Sequence, residues 1–282
     1  MNQLRKFALI ASLALLFIGA GCERTESGAS QTVIVTTDAL HEIVSAVVGD
    51  RFEATNLLSG GEEIHHFEPT ARDAEALAGA ALIIYNGHGL DDWAAELAGK
   101  TTTFAVTSEM TGLIEGDPHV WLSPAYAGAM ADALCQRLTE LDPDGADVFD
   151  KNCAAFRAEL QSLSSEFQPK FAAARLDTFV TGHAALGYLA AEFGLTQKSV
   201  SDVFSSGEPT AKQLIALADF CNANGVKYVL SESSAPLAVS RTLADECGAE
   251  VLSVYMMESV EDGLSFLTRM RHNLETLLKA VE

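Results

Sequence analysis

The stretch "ADVFDKNCAAFRAELQSLSSEFQPKFAAARL", Ala146 to Leu176, restricts the fold more than any other. It keeps a helical pattern for most of its length and contains no glycine, so it reads as one long helix ending around Pro169 or a turn beyond. On both sides of it, strand patterns alternate with helical ones. "TVIVTT", "FEATNLL", "ALIIYN" and "TTFAV" read as strands before it. Between them lie "DALHEIVSAVVGD", with Asp38 as N-cap and Gly49 as stop, "PTARDAEALAGA" and "LDDWAAELAG". After the long helix, "DTFVTG", "SVSDVF", "VKYVLSES" and "AEVLSVY" read as strands separated by helices, and "GLSFLTRMRHNLETLLKAVE" is the closing helix. Strand and helix in turn imply parallel sheets with helices outside. The expected fold is α/β: two lobes, each a parallel sheet flanked by helices, joined by one long rigid helix. The expected boundaries are 32–143 for the first lobe, 144–174 for the connecting helix and 175–282 for the second lobe.

Residues 1–21 stand apart from this pattern. Arg5 and Lys6 precede the apolar run "FALIASLALLFIGAG", which has the form of a signal peptide and is short for a membrane span. It ends in Gly19, Ala20, Gly21 and Cys22. Small residues before a cysteine resemble a bacterial lipobox, which makes Cys22 the expected lipidation site and places the protein outside the cytoplasm. Residues 22–31 then form a flexible tether.

In the 282-residue chain, 39 acidic residues outnumber 18 basic ones, for a formal charge of −21. Such a surface repels nucleic acid and attracts cations. Cys135, Cys153, Cys221 and Cys247 form no C-x-x-C pair, which argues against a thiolate zinc site or a redox motif. Two readings of them stand: disulfides pairing 135 with 153 and 221 with 247, each across a helix–turn–helix or helix–strand–helix segment, or free buried thiols.

Several enzyme signatures fall short. "HEIVS" has Ser45 where a zinc protease needs its second histidine, and "GHGLDD" carries Asp92 where a dinucleotide loop needs glycine. The histidines are better placed. His65 lies in the loop after the second strand, His119 beyond the last strand of the first lobe, His183 directly after "DTFVTG", and Glu258 after the final strand. Ligands of open parallel sheets bind beyond the carboxyl ends of the strands, so these four groups can converge between the lobes on a metal ion. Taken singly, each has a plainer role: His65 on a surface loop, His119 packing on Trp121, His183 capping a helix, Glu258 in solvent with Asp262 taking its place. His41, His66, His88 and His272 are read as structural or surface residues.

"HHFEPTARD", "LIIYNGHGLDDW", "DPHVWL", "FVTGHAALGYLA", "VLSES" and "RMRHNLETL" occur in that order and resemble the motifs of the metal-binding receptors of bacterial ABC importers for zinc and manganese. The resemblance implies one metal between two α/β lobes, held by His65, His119, His183 and, in the position usually filled by aspartate, Glu258. It implies that His65 binds and His66 does not. Three imidazoles and one carboxylate suit Zn²⁺ better than Mn²⁺. The implied partner is the membrane permease of an ABC importer, with no nucleic-acid partner and a monomeric receptor. The loops at His183 and Glu258 are expected to move as metal enters and leaves. The alternatives are a manganese or iron receptor of the same fold, an exported zinc hydrolase using Glu258 as base, and a lipid-anchored adhesin.

Overall fold

The computed structural model describes residues 32–58, 64–201, 210–232, 238–259 and 263–282. Cys22, the leader and tether, and Asp262 lie outside these residues.

The first lobe is a four-stranded parallel sheet in the order β2–β1–β3–β4, with β1 Thr32–Val35, β2 Glu53–Asn56, β3 Leu82–Tyr85 and β4 Thr103–Ala105. The helices α1 (Asp38–Val48), α2 (Ala71–Ala78) and α3 (Trp93–Leu97) cross between these strands. The second lobe repeats the arrangement as β6–β5–β7–β8, with β5 Thr178–Thr181, β6 Thr196–Ser199, β7 Tyr228–Glu232 and β8 Glu250–Val254. Its connecting helices are α6 (Gly187–Phe193), α7 (Ala211–Asn224) and α8 (Ala238–Cys247). Central strands such as β3, "LIIY", are nearly continuous in apolar residues because helices cover both faces.

Between the lobes run α4 (Pro124–Leu141) and α5 (Ala146–Ala172), and α9 (Phe266–Val281) closes the chain. The long helix is present as expected and continues one turn past Pro169. It packs against α4, α1 and α9, so a single core unites both lobes: Leu40 and Val44 of α1, Leu134 and Leu138 of α4, Phe149, Leu163 and Phe167 of α5, and Met270 and Leu274 of α9 are all buried.

Two local expectations differ from the structure. Thr37, not Asp38, caps α1, accepting from the Leu40 amide at 3.2 Å, because the Asp38 side chain is taken by Arg269. Strand β6 is "TQKS", which starts three residues before the expected "SVSDVF", whose residues 202–204 lie outside the described residues, and it pairs with β5 in register Thr178↔Thr196. Its alternation of half-buried and exposed residues marks a sheet edge, where the apolar signal is weak.

The four cysteines are thiols, three of them buried. The expected partners do stand together: Cys135 and Cys153 face each other across α4 and α5, and Cys221 and Cys247 across α7 and α8. Burial, reinforced by Asp150 and Asp132 respectively, pushes Cys135 up to about 11 and Cys153 to about 12. Among the described residues, no helix is long and apolar enough to cross a membrane.

Candidate metal centre

The site is assembled at the carboxyl ends of both sheets. After β2, the chain turns through a short 3-10 segment, Ile64–His66. Ile64 drops into the core and is 1% exposed, His66 faces solvent, and the side chain of His65, only 2% exposed, points into the interlobe space. Adjacent residues in so tight a turn face different ways, so an inward Ile64 and an outward His66 set the direction of His65.

His119 follows Pro118 and precedes a second 3-10 turn, Val120–Leu122, whose three side chains are all buried. That turn clamps the His119 backbone, and the imidazole is fully buried. It packs on Trp121 with ring centroids 5.4 Å apart, so the plainer packing role is present and leaves Nε2 free to face the other histidines. His183 comes two residues after β5, and its carbonyl accepts from Thr181 Oγ1 at 2.6 Å and Gln197 Nε2 at 2.9 Å.

The three histidines converge. Each offers a ligand atom, and these atoms all lie within 4.8 Å of one another. The Nε2 atoms of His65 and His119 are 3.1 Å apart. Ring centroids are separated by 5.1 Å for His65–His119, 5.5 Å for His65–His183 and 4.9 Å for His119–His183. Glu258 closes one side, with its Oε1 at 3.4 Å from His65 Nε2 and 3.6 Å from His119 Nε2. That oxygen is buried and has no aligned hydrogen-bond donor. An orphaned carboxylate oxygen facing imidazole Nε2 atoms is costly without a cation, and it suits a divalent metal.

Two further carboxylates orient the rings. Asp117 Oδ1 lies 2.8 Å from His119 Nδ1 and also accepts from the His119 amide at 3.0 Å. Glu232 Oε1 lies 2.5 Å from His183 Nδ1. A carboxylate on Nδ1 assigns the proton to that nitrogen and leaves the Nε2 lone pair for a metal. Neither residue was identified from the sequence, although each left a trace: Asp117 stands two residues before His119, and Glu232 ends strand β7 in "VLSES". A glycine lets α6 approach here, since a Cβ on Gly187 would lie 2.6 Å from Asp117 Oδ2.

Charge at the site is coupled. Burial alone would lower the His119 pKa, but Asp117 and Glu258 outweigh it and hold it up at about 9. Burial alone would raise the Glu258 pKa, but His119 and His65 hold it down at about 2.

The remaining histidines are elsewhere: His88 Nε2 meets the Ile114 carbonyl at 2.9 Å, and His272 Nε2 meets that of Ser253 at 3.2 Å. The near-motif "GHGLDD" is a structural turn in which buried Asp91 accepts from the Asn86 and Gly87 amides and from Thr36 Oγ1.

The chain is 33% identical to a putative metal-binding protein of Treponema pallidum, over 98% of this chain and 97% of that one. It is 28% identical to the zinc-binding lipoprotein AdcA of Streptococcus pneumoniae, covering 97% of this chain but only 60% of the relative's length. Among solved structures, the laminin-binding protein Lmb of Streptococcus agalactiae, described as bifunctional with adhesin and metal-transporting activity, superposes with a TM-score of 0.84 at 31% identity, covering 89% of this chain and 99% of that one. A Zn(II)-bound variant of Streptococcus pneumoniae AdcAII gives a TM-score of 0.82 at 30% identity, over 90% and 100% of the two chains. Residues 33–280 match the family described as ZnuA, zinc-uptake complex component A, periplasmic. With two parallel sheets, a long connecting helix and three histidines meeting between the lobes, the chain belongs to the zinc-uptake complex component A family.

Proposed function

We propose that this protein is an extracytoplasmic receptor that captures Zn²⁺ between its lobes and hands it to the permease of an ABC importer. The observation that carries the reading is the meeting of His65, His119 and His183 beside Glu258 Oε1, which is buried without a hydrogen-bond partner. Three imidazole nitrogens and one carboxylate form a donor set that zinc accepts readily and that manganese, which favours oxygen, accepts poorly. Metal is the cargo here, so the role is binding and release instead of catalysis. The orienting carboxylates Asp117 and Glu232 raise ligand basicity and hold the rings in place before metal arrives.

Anchoring through Cys22 and action as a monomer complete the proposal. The anchor rests on the sequence from Arg5 to Cys22. The deciding experiment is metal analysis and competitive chelator titration of the metal-stripped, tether-free protein. One tightly bound zinc per chain, preferred over manganese, is expected. Preference for manganese, or loss of zinc binding in none of the His65→Ala, His119→Ala and His183→Ala variants, overturns the reading.

A further inference from the structure

Glu258 belongs to the second lobe by sequence, but its backbone is held by the first. The segment Tyr255–Glu258 leaves the end of β8 and crosses to the N-terminus of α1. There the Asp38 amide donates to the Glu258 carbonyl at 3.0 Å and the Ala39 amide to the Met257 carbonyl at 2.8 Å. Trp121 Nε1, two residues from His119, donates to the Met256 carbonyl at 2.7 Å. From the other side, Asn273 of α9 binds both the amide and the carbonyl of Tyr255, at 2.8 and 2.7 Å.

Within this strap Met257 has a φ of +58°, left-handed backbone in a residue that is neither glycine nor asparagine. Such a conformation is strained and persists only where surrounding contacts over-determine it. Among those contacts, the Asp38 and Ala39 amides come from α1. What holds the start of α1 is a buried ion pair across the lobes, Arg269 Nη2 to Asp38 Oδ2 at 2.6 Å, with side chains 1% and 5% exposed. Glu42, one turn further along α1, accepts from the Phe266 amide at 3.0 Å and fastens α1 to the start of α9.

We infer that Asp38 is a positioning residue of the metal site: paired with Arg269, it fixes the α1 N-terminus so that the strained Met257 turn aims the Glu258 carboxylate at His65 and His119. The inference rests on the zinc-receptor reading. Its consequence is mechanical. The Glu258 backbone is held by the α1 amides, with α9 behind Tyr255, whereas the His183 carbonyl and Nδ1 are held by Thr181, Gln197 and Glu232 at the second sheet. Of the two loops expected to move, the one carrying Glu258 is strapped, which leaves His183 as the ligand that parts from the rest on release.

The test is a double-mutant cycle on zinc affinity, measured by competitive chelator titration at a temperature where circular dichroism shows every variant folded. Glu258→Gln removes the charged ligand, Asp38→Asn loosens its support, and Leu217→Ala destabilises the separate apolar cluster of the second lobe. Asp38→Asn is expected to weaken zinc binding about tenfold, Leu217→Ala to leave it unchanged, and the Asp38→Asn/Glu258→Gln pair to bind no more weakly than Glu258→Gln alone. Non-additivity of that kind marks action through Glu258. Additive losses, or equal losses in Asp38→Asn and Leu217→Ala, overturn the inference while leaving the receptor reading intact. Undiminished affinity in Glu258→Gln overturns the ligand role itself. If Asp38→Asn does not fold, Trp121→Phe removes another strand of the strap and faces the same criterion of non-additivity with Glu258→Gln.

Discussion

At the scale of single residues, protonation governs the site. The His119 pKa stands above its ordinary value, so the protonated form is favoured on folding: that contribution is complete below about 6.5 and is lost as pH rises through about 9. The Glu258 pKa stands below its ordinary value, so its contribution is present above about 4.5 and is lost as pH falls towards about 2. Zinc bound as proposed requires neutral imidazole, so its binding at neutral pH should displace the His119 proton. Calorimetry in buffers of different ionisation enthalpy at pH 7.5 should report release of about one proton per zinc, and affinity should go on rising with pH until about pH 9. Zero proton release would contradict the coupling of His119 to Asp117 and Glu258. Asp117→Asn and Glu232→Gln, which keep shape and remove charge behind a ligand, should each weaken zinc by about 10- to 100-fold with little change in circular dichroism. His183→Glu exchanges a nitrogen for oxygen and should move preference from zinc towards manganese in a competition titration.

At the scale of elements, the site depends on where helices begin and how closely they pack. Thr37 satisfies an amide that α1 would otherwise bury without a partner. Thr37→Ala should cost about 1 kcal/mol in urea unfolding. Gly145 sits in the turn between α4 and α5, where an added Cβ would lie 2.6 Å from the Phe149 ring and 2.7 Å from Asp142 Oδ2. Gly145→Ala should destabilise by about 1–3 kcal/mol through overpacking, read as a lower urea midpoint. The periodic elements were legible in the sequence because burial of whole faces writes itself into residue order. The weak ones, β6 above all, were not, since an edge strand of polar residues leaves no periodic trace. The nearness of Cys135 to Cys153 and of Cys221 to Cys247 was also legible, because each two fall on successive helices.

At the scale of the molecule, two ties between the lobes flank the candidate site, besides α5 and the α1–α9 contacts at Asp38–Arg269 and Glu42–Phe266. One is the strap at Met256–Glu258. The other is α6, where Tyr188 donates to the Asp117 carbonyl at 2.8 Å and Glu192 accepts from Ser123 Oγ, Ser164 Oγ and the Ala125 amide. Wide hinge opening would break both. Small-angle scattering should accordingly show a radius of gyration that changes by less than about 1 Å on zinc binding. The charge of −21 acts at the same scale, and zinc association should slow as ionic strength rises from about 10 to 200 mM in stopped-flow measurements.

The residue order alone determined the alternation of strands and helices, the long central helix, and three histidines at strand ends, because local propensity and periodic burial are properties of neighbours along the chain. Only the tertiary structure decided which groups meet. Asp38 and Arg269 belong to opposite lobes, Glu232 reaches His183 from a different strand, and the inward turn of His65 depends on what lies across the cleft. No pattern in neighbouring residues records such contacts, since they arise from packing two lobes whose sequences are far apart, and it is that packing which brings four separate side chains together.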